Sequence, residues 1–199
     1  MTISYCEGSG LYINLTNRCT NDCAFCVRNI QDSVGDAASL WLDREPTYEE
    51  IVADLEKRDF SKYTEVVFCG YGEPMMCLDI LLQVAAYLRT KTTLPIRINT
   101  NGHANLIYGE DVTPRLKGLI DVVSISLNSA TAEDYDKLCQ PIFGKEAYEG
   151  LLDFAARAKQ YVKKVSLSVV DILPLEEIEI CRKRAADVGV DLRVRTMIE

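Results

Sequence analysis

IRINTNG, residues 96–102, alternates before it turns: Ile96 and Ile98 fall in one phase, Arg97, Asn99 and Asn101 in the other. Successive side chains of a strand point to opposite faces, so this run reads as a strand with one apolar and one polar face. Five further β-rich runs, at 11–16, 65–69, 122–128, 165–171 and 191–196, are separated by amphipathic stretches long enough for helices. Their polar phase carries Tyr12, Asn14 and Thr16, then Ser124, Ser126 and Asn128, then Ser166 and Ser168, then Arg193 and Arg195. Their other phase is apolar: Leu11, Ile13, Val66, Phe68, Val123, Ile125, Val165, Leu167 and Val169.

A β/α alternation implies a parallel sheet with right-handed crossovers. A doubly wound sheet, covered by helices on both faces, needs near-continuous apolar strands, and here only one face asks for cover. The expected fold is therefore α/β, a partial (βα)6 TIM-like barrel with parallel strands, helices outside and a polar lumen. Neither a repeat nor a low-complexity linker breaks the chain, so residues 1–199 read as one domain. Helix boundaries are legible. Thr47 and Glu50 form a capping box after Pro46, Thr131 precedes Glu133 and Asp134, and Gly189 ends a helix over 175–188.

Hydrophobic residues at 48% and charged residues at 26% match a globular domain, which excludes a disordered chain or a coiled coil. The formal net charge of -8 argues against nucleic-acid binding, which relies on Lys and Arg neutralising phosphates. MTISYCEGSG, residues 1–10, has neither a basic nor an apolar leader region, and no apolar run is long enough to span a bilayer. The expectation is a cytoplasmic protein with no membrane partner. In a reducing compartment its eight cysteines are not disulfide staples.

Three of them cluster in RCTNDCAFCVRN, residues 18–29, as Cys19, Cys23 and Cys26. The loop over 17–30 follows the first strand, at the mouth where barrel enzymes place their chemistry. Three thiols fall one short of a closed tetrahedral zinc site. An iron–sulfur cluster with four irons and three thiolates keeps one iron open; the alternative is a zinc site completed by Asp22 or His103. The scattered Cys6, Cys69, Cys77, Cys139 and Cys181 read as small buried residues.

CTNDCAFC resembles the CxxxCxΦC signature of the radical S-adenosylmethionine (radical SAM) superfamily, with Phe25 as the aromatic residue. The resemblance implies a 4Fe-4S cluster on Cys19, Cys23 and Cys26, with S-adenosylmethionine chelated by the open iron and cleaved reductively to a 5′-deoxyadenosyl radical. It also implies an external electron donor such as flavodoxin or ferredoxin. FCGYGEP, residues 68–74, resembles the family's GGEP element and assigns Gly72 and Glu73 to the cofactor, Glu73 facing the methionine ammonium. A glycine there admits close approach of a ligand. NTNG and SISLN, residues 99–102 and 124–128, assign ribose and carboxylate contacts to Asn99, Thr100, Asn101, Ser126 and Asn128. Ser168 and Val170 align with positions that touch the carboxylate and adenine, and Phe25 packs near the adenine. More narrowly, GLYINLTNRCTNDCAFCVRN, LWLDREPT, VVFCGYGEP, IRINTNG and ISLN resemble the TatD-associated radical SAM proteins, which implies a link to a TatD-type nuclease.

The function expected is hydrogen abstraction from an anionic small-molecule or peptide substrate. The alternatives are an activase acting on a partner protein and a noncatalytic iron–sulfur redox sensor. Arg193 and Arg195 are the substrate candidates, since two guanidiniums in the lumen suit a carboxylate or phosphate, unless they pair with Glu65. Cys139, expected on a loop after strand four in KLCQPIFG, and Cys69 are weaker candidates for a hydrogen-atom donor or covalent handle. His103 is expected to be a loop residue, and Trp41 and Leu42 to pack over the cluster loop.

Overall fold

The computed structural model describes residues 1–196. Seven strands form one sheet in sequence order: β1 (Ser4–Glu7), β2 (Gly10–Ile13), β3 (Glu65–Phe68), β4 (Ile96–Thr100), β5 (Val122–Ser126), β6 (Lys164–Val170) and β7 (Asp191–Arg195). From β2 to β7 every neighbouring pair is parallel, as the partial barrel requires. The strands are not all parallel, however, because β1 runs antiparallel to β2. Only two residues, Gly8 and Ser9, join them, a link far too short for a parallel crossover. Gly8 adopts φ +57°, the left-handed conformation such a turn favours. The run at 11–16 announced β2, but the sequence did not announce its partner β1, whose four residues SYCE show no clean apolar/polar alternation.

Among the described residues the α-helices are α1 (Tyr48–Leu55), α2 (Leu78–Lys91), α3 (Ala104–Tyr108), α4 (Ala132–Cys139), α5 (Glu146–Ala158) and α6 (Leu175–Val188). The capping box is present: Glu50 N–H donates to Thr47 Oγ at 3.3 Å and Thr47 N–H donates to Glu50 Oε2 at 2.9 Å. Thr131 accepts from Asp134 N–H at 3.1 Å, and Gly189 ends α6 at φ +77°. The apolar strand phase, including Leu11, Phe68, Ile98, Ile125 and Leu167, is fully buried in one cluster with Leu81, Leu88, Leu151, Phe154 and Ile178 from the helices. Each such side chain stabilises the fold by about 1.5–3 kcal/mol. Leu151→Ala would cost about 2–5 kcal/mol.

Strand register carries the polar phase across the lumen. Asn99 lies opposite Ser124, Ser124 opposite Ser166, Ser126 opposite Ser168, and Ser168 opposite Arg193. Glu65 pairs with Arg97, not with the arginines of β7: Arg97 Nη2 and Nε stand 2.7 and 3.0 Å from its carboxylate oxygens. The reason is topological, because β3 and β4 are neighbours whereas β7 ends the sheet.

A second, smaller core of Tyr5, Ala37, Leu40 and Tyr71 covers the β1–β2 side. Leu42 is tied by paired hydrogen bonds at 2.7 and 3.0 Å to Asn17, the first residue of the cluster loop. Trp41 packs edge-on against Tyr71 at 5.1 Å and keeps 42% of its surface exposed. Tyr71, the residue between the two glycines of the FCGYGEP run, hydrogen-bonds to the carbonyl of Gln31 in turn.

Candidate active site

Cys19, Cys23 and Cys26 are free, partly buried thiols that line one cavity at the C-terminal ends of the strands. The loop that carries them is fastened from three sides. Asp22 and Ala24 donate their N–H groups to the carbonyls of Cys139 and Leu138 at 2.9 and 3.0 Å, so Cys23 rests on the last turn of α4. Glu73 N–H donates to the Arg18 carbonyl at 2.8 Å. Thr20 Oγ accepts from Asn101 Nδ2 at 2.7 Å and lies 3.0 Å from His103 Nδ1.

His103 is therefore no bystander of a loop. It is completely buried, with Tyr135 Oη 3.1 Å from its Nε2. Asn21 Nδ2 donates to that same tyrosine at 2.9 Å, so the tyrosine proton is directed to Nε2 and the histidine proton to Nδ1, toward Thr20. Burial holds the imidazole neutral, its pKa lowered to about 4. Tyr135, in mid-α4, had no sequence signal. Asn21 stood inside the cysteine motif and could have been singled out.

The donor set fits a cluster better than a single ion. Among the described residues no three His, Cys, Asp or Glu side chains converge on one metal position. His103 spends both ring nitrogens on Thr20 and Tyr135, and Asp22 pairs with Arg28 at 2.8 Å. A polynuclear cluster instead takes each thiolate on a different iron, which calls for three thiols around a cavity. Burial pushes Cys19 up to about 12, helped by the charge of Glu73, and raises Cys26. Cys23 is raised by its hydrogen bond with Cys139 and then by burial. Bound metal reverses this balance, because a coordinating thiol is deprotonated outright.

Glu73 is 3% exposed and accepts three hydrogen bonds: from Thr100 Oγ at 2.7 Å, Met75 N–H at 3.0 Å and Asn101 N–H at 2.7 Å. Burial nevertheless raises its pKa to about 7. Its first role is to bolt the loop after β3 to the end of β4. Gly72, which lines the cavity, also serves the fold. A Cβ there would meet the carbonyl oxygens of Thr16 and Arg18 at 2.3 and 2.5 Å, so the close approach is between two loop backbones.

Phe25, Gly72, Glu73, Asn99, Thr100, Asn101, Ser126, Asn128, Ser168 and Val170 all line the cavity of the three cysteines, together with Cys69, Arg193 and Arg195. Asn99 Oδ1 accepts from Arg97 at 3.0 Å, and Ser168 Oγ donates to the Ile125 carbonyl at 3.3 Å. Asn128 is held at φ +56°, an uncommon conformation for a residue other than glycine. Its Nδ2 donates to Cys139 Sγ at 3.7 Å. Cys139 itself closes α4 rather than lying on a loop, and it is fully buried behind Asn128 and Cys23. That position gives it no face on the lumen, so it is not placed to meet a substrate.

Among the described residues, three buried polar atoms of the cavity's lining lack a hydrogen-bond partner: Asn21 Oδ1, Asn128 Oδ1 and Arg195 Nε. Each such atom costs about 1–3 kcal/mol while it stays without a partner. A second depression of about 720 Å³ lies toward the N-terminal ends of the strands, where Glu65, Arg97, Lys164 and Ser166 line it. It contains no cysteine, so the metal chemistry belongs to the upper cavity.

Residues 13–184 match the family model of the Radical SAM superfamily. No curated protein sequence matches the chain significantly. Among solved structures, methylornithine synthase (PylB) superposes with a TM-score of 0.67 at 17% identity, covering 95% of this chain and 53% of its own. A radical SAM methyltransferase from Sphaerobacter thermophilus gives 0.66 at 16% identity, covering 94% and 55%. Streptococcus suis SuiB bound to S-adenosylmethionine gives 0.63 at 18%, covering 97% and 40%. The chain thus spans about half the length of the structures it matches. No helix among its described residues is long and apolar enough to cross a membrane. Since that family model spans residues 13–184, most of the chain, the chain belongs to the radical SAM superfamily, enzymes that use a 4Fe-4S cluster and S-adenosylmethionine.

Proposed function

We propose that this chain cleaves S-adenosylmethionine reductively at a cluster held by Cys19, Cys23 and Cys26, and takes a hydrogen atom from an anionic substrate in the lumen. The observation that carries the proposal is the shared cavity: the three thiols and the unpaired Asn21, Asn128 and Arg195 atoms belong to residues lining one space. When bound, the cofactor pair supplies the chemistry: one electron from a carrier such as flavodoxin or ferredoxin breaks the C5′–S bond, leaving methionine and the 5′-deoxyadenosyl radical.

The chain's own residues bind and orient. Asn21 Oδ1 and Asn128 Oδ1, acceptors without donors, suit the ammonium and hydroxyl groups of the cofactor. Glu73 fixes the positions of Thr100 and Asn101 and lends its negative charge to the ammonium. Phe25 and Val170 offer apolar surface for the adenine. Ser126 and Ser168, opposite one another in register, are hydroxyl groups placed for the carboxylate and ribose. Protein of this kind orients reactants and excludes side reactions, while the cofactor carries the difficult step. The finer kinship with TatD-associated proteins, and with it a link to a TatD-type nuclease, is supported by the motif strings alone.

The test is anaerobic reconstitution with iron and sulfide, which should give about four irons per chain. Reduction in the presence of S-adenosylmethionine should then release 5′-deoxyadenosine. A protein that takes zinc and has no capacity for iron would overturn the proposal.

A further inference from the structure

The arginines of β7 have no acidic partner among the described residues. Glu65 is engaged by two nitrogens of Arg97. Arg195 is largely buried and lines the upper cavity, with its Nε shut off from water and unpaired. Burial lowers its pKa, opposed by the nearby Cys69 and aided to a smaller extent by the charge of Arg193. Placing a guanidinium there without a partner is costly, and an arriving anion offsets the cost.

Arg193 precedes it by two residues in the same strand phase, opposite Ser168, and about 6.6 Å lower along the strand. Unlike Arg195, it is exposed and borders both spaces. Arg97, Ser124 and Arg193 line the upper cavity and the lower depression alike, so they stand at the waist where the two meet. On a chain of net charge -8 this pair is a local positive field that faces inward.

We infer that the lumen binds a small organic anion, a carboxylate or a phosphate, held between Arg195 in the upper cavity and Arg193 at the waist below it, with the rest of the molecule reaching into the lower chamber. The inference rests on the reading that the upper cavity holds S-adenosylmethionine, since the anion then lies just beneath the cofactor. Guanidinium suits both oxyanions because its planar fork donates two parallel hydrogen bonds. The same chemistry is present in the cofactor's own carboxylate, so the two sources must be separated.

Inorganic pyrophosphate serves as the probe, titrated by calorimetry into the reconstituted, S-adenosylmethionine-saturated protein. One equivalent should bind, about 10-fold or more weakly in Arg195→Gln and in Arg193→Gln. Arg115→Gln, which alters an exposed pair with Asp79, should bind as the wild type does. Cofactor affinity should stay within about twofold throughout. If Arg195→Gln does not fold, Arg195→Lys, which keeps the charge but loses the fork, and Arg193→Gln carry the same comparison. Absence of pyrophosphate binding, or equal binding by the wild type and the double glutamine variant, overturns the clamp. So does exclusion of pyrophosphate by the cofactor together with weakened cofactor binding in Arg195→Gln, because the anion is then the cofactor's carboxylate. A wild type that takes up neither iron nor cofactor refutes the cofactor reading alone, and titration of that metal-free protein still decides the clamp.

Discussion

The backbone N–H of Asn101 donates to Glu73 Oε2 at 2.7 Å, joining the end of β4 to the loop after β3. The other oxygen of the same carboxylate accepts from Thr100 Oγ and Met75 N–H. The carboxylate thus ties these two parts of the cavity wall together through the protein's own hydrogen bonds. Glu73→Ala strands three buried donors, at about 1–3 kcal/mol each. Urea unfolding of the metal-free protein should show a loss of roughly 3 kcal/mol or more, and Glu73→Gln, which keeps one acceptor, a smaller one. An alanine variant within about 1 kcal/mol of wild type would show that the carboxylate is not the bolt described here.

His103 makes the stability of the metal-free protein pH-dependent in a defined window. Its pKa falls from 6.5 in the unfolded chain to about 4 in the fold, through burial. Between those values the unfolded chain binds the extra proton, so the stabilisation is complete above pH 6.5 and is lost as pH falls toward 4. The span amounts to roughly 3 kcal/mol at most. His103→Gln should lower stability at pH 7 and flatten the profile between pH 4 and 6.5. As His103 is the sole histidine, an unchanged profile would assign the slope to carboxylates instead.

Gly72→Ala should disturb the cluster loop, because both atoms its Cβ would strike are backbone carbonyls that move only with the loop. Iron retention after gel filtration should fall well below that of wild type. Gly109→Ala is the comparison: its φ of +68° is strained for alanine but nothing lies within 4 Å of the new Cβ. It should cost about 1–2 kcal/mol of stability and leave iron content alone. Equal iron retention in the two variants would mean that the loop yields at Gly72 without consequence.

Cys23→Ala should abolish iron binding, as should Cys19→Ala and Cys26→Ala, whereas Cys181→Ala should load normally. Cys181 is buried in the outer core on α6, far from the lumen phase. Iron and sulfide assays on the four variants decide the matter. A fully loaded Cys23→Ala protein would remove that thiol from the ligand set.

Much of this protein was legible because local repetition writes it directly. Alternation in 96–102 and 122–128 announced a sheet with one polar face, and that face does line the cavity. Thr47 with Glu50, and Gly189, marked helix ends through contacts only a few residues apart. The hairpin escaped because its first strand, the four residues SYCE of β1, shows no clean alternation of apolar and polar side chains.

By itself, then, the sequence determined the alternating strands, the capped helices and the three-thiol loop, all features whose physical cause lies within a few neighbouring residues. Only the tertiary structure decided which groups those residues meet. It gave Glu65 to Arg97 and left Arg195 Nε without a partner among the described residues, buried His103 between Thr20 and Tyr135, and hid Cys139 behind Asn128. Those partnerships join residues up to 114 positions apart, such as Asn21 and Tyr135. Which strand lies beside which, and which polar atom finds a partner before burial, is settled by the closing of the sheet, and no local pattern encodes it.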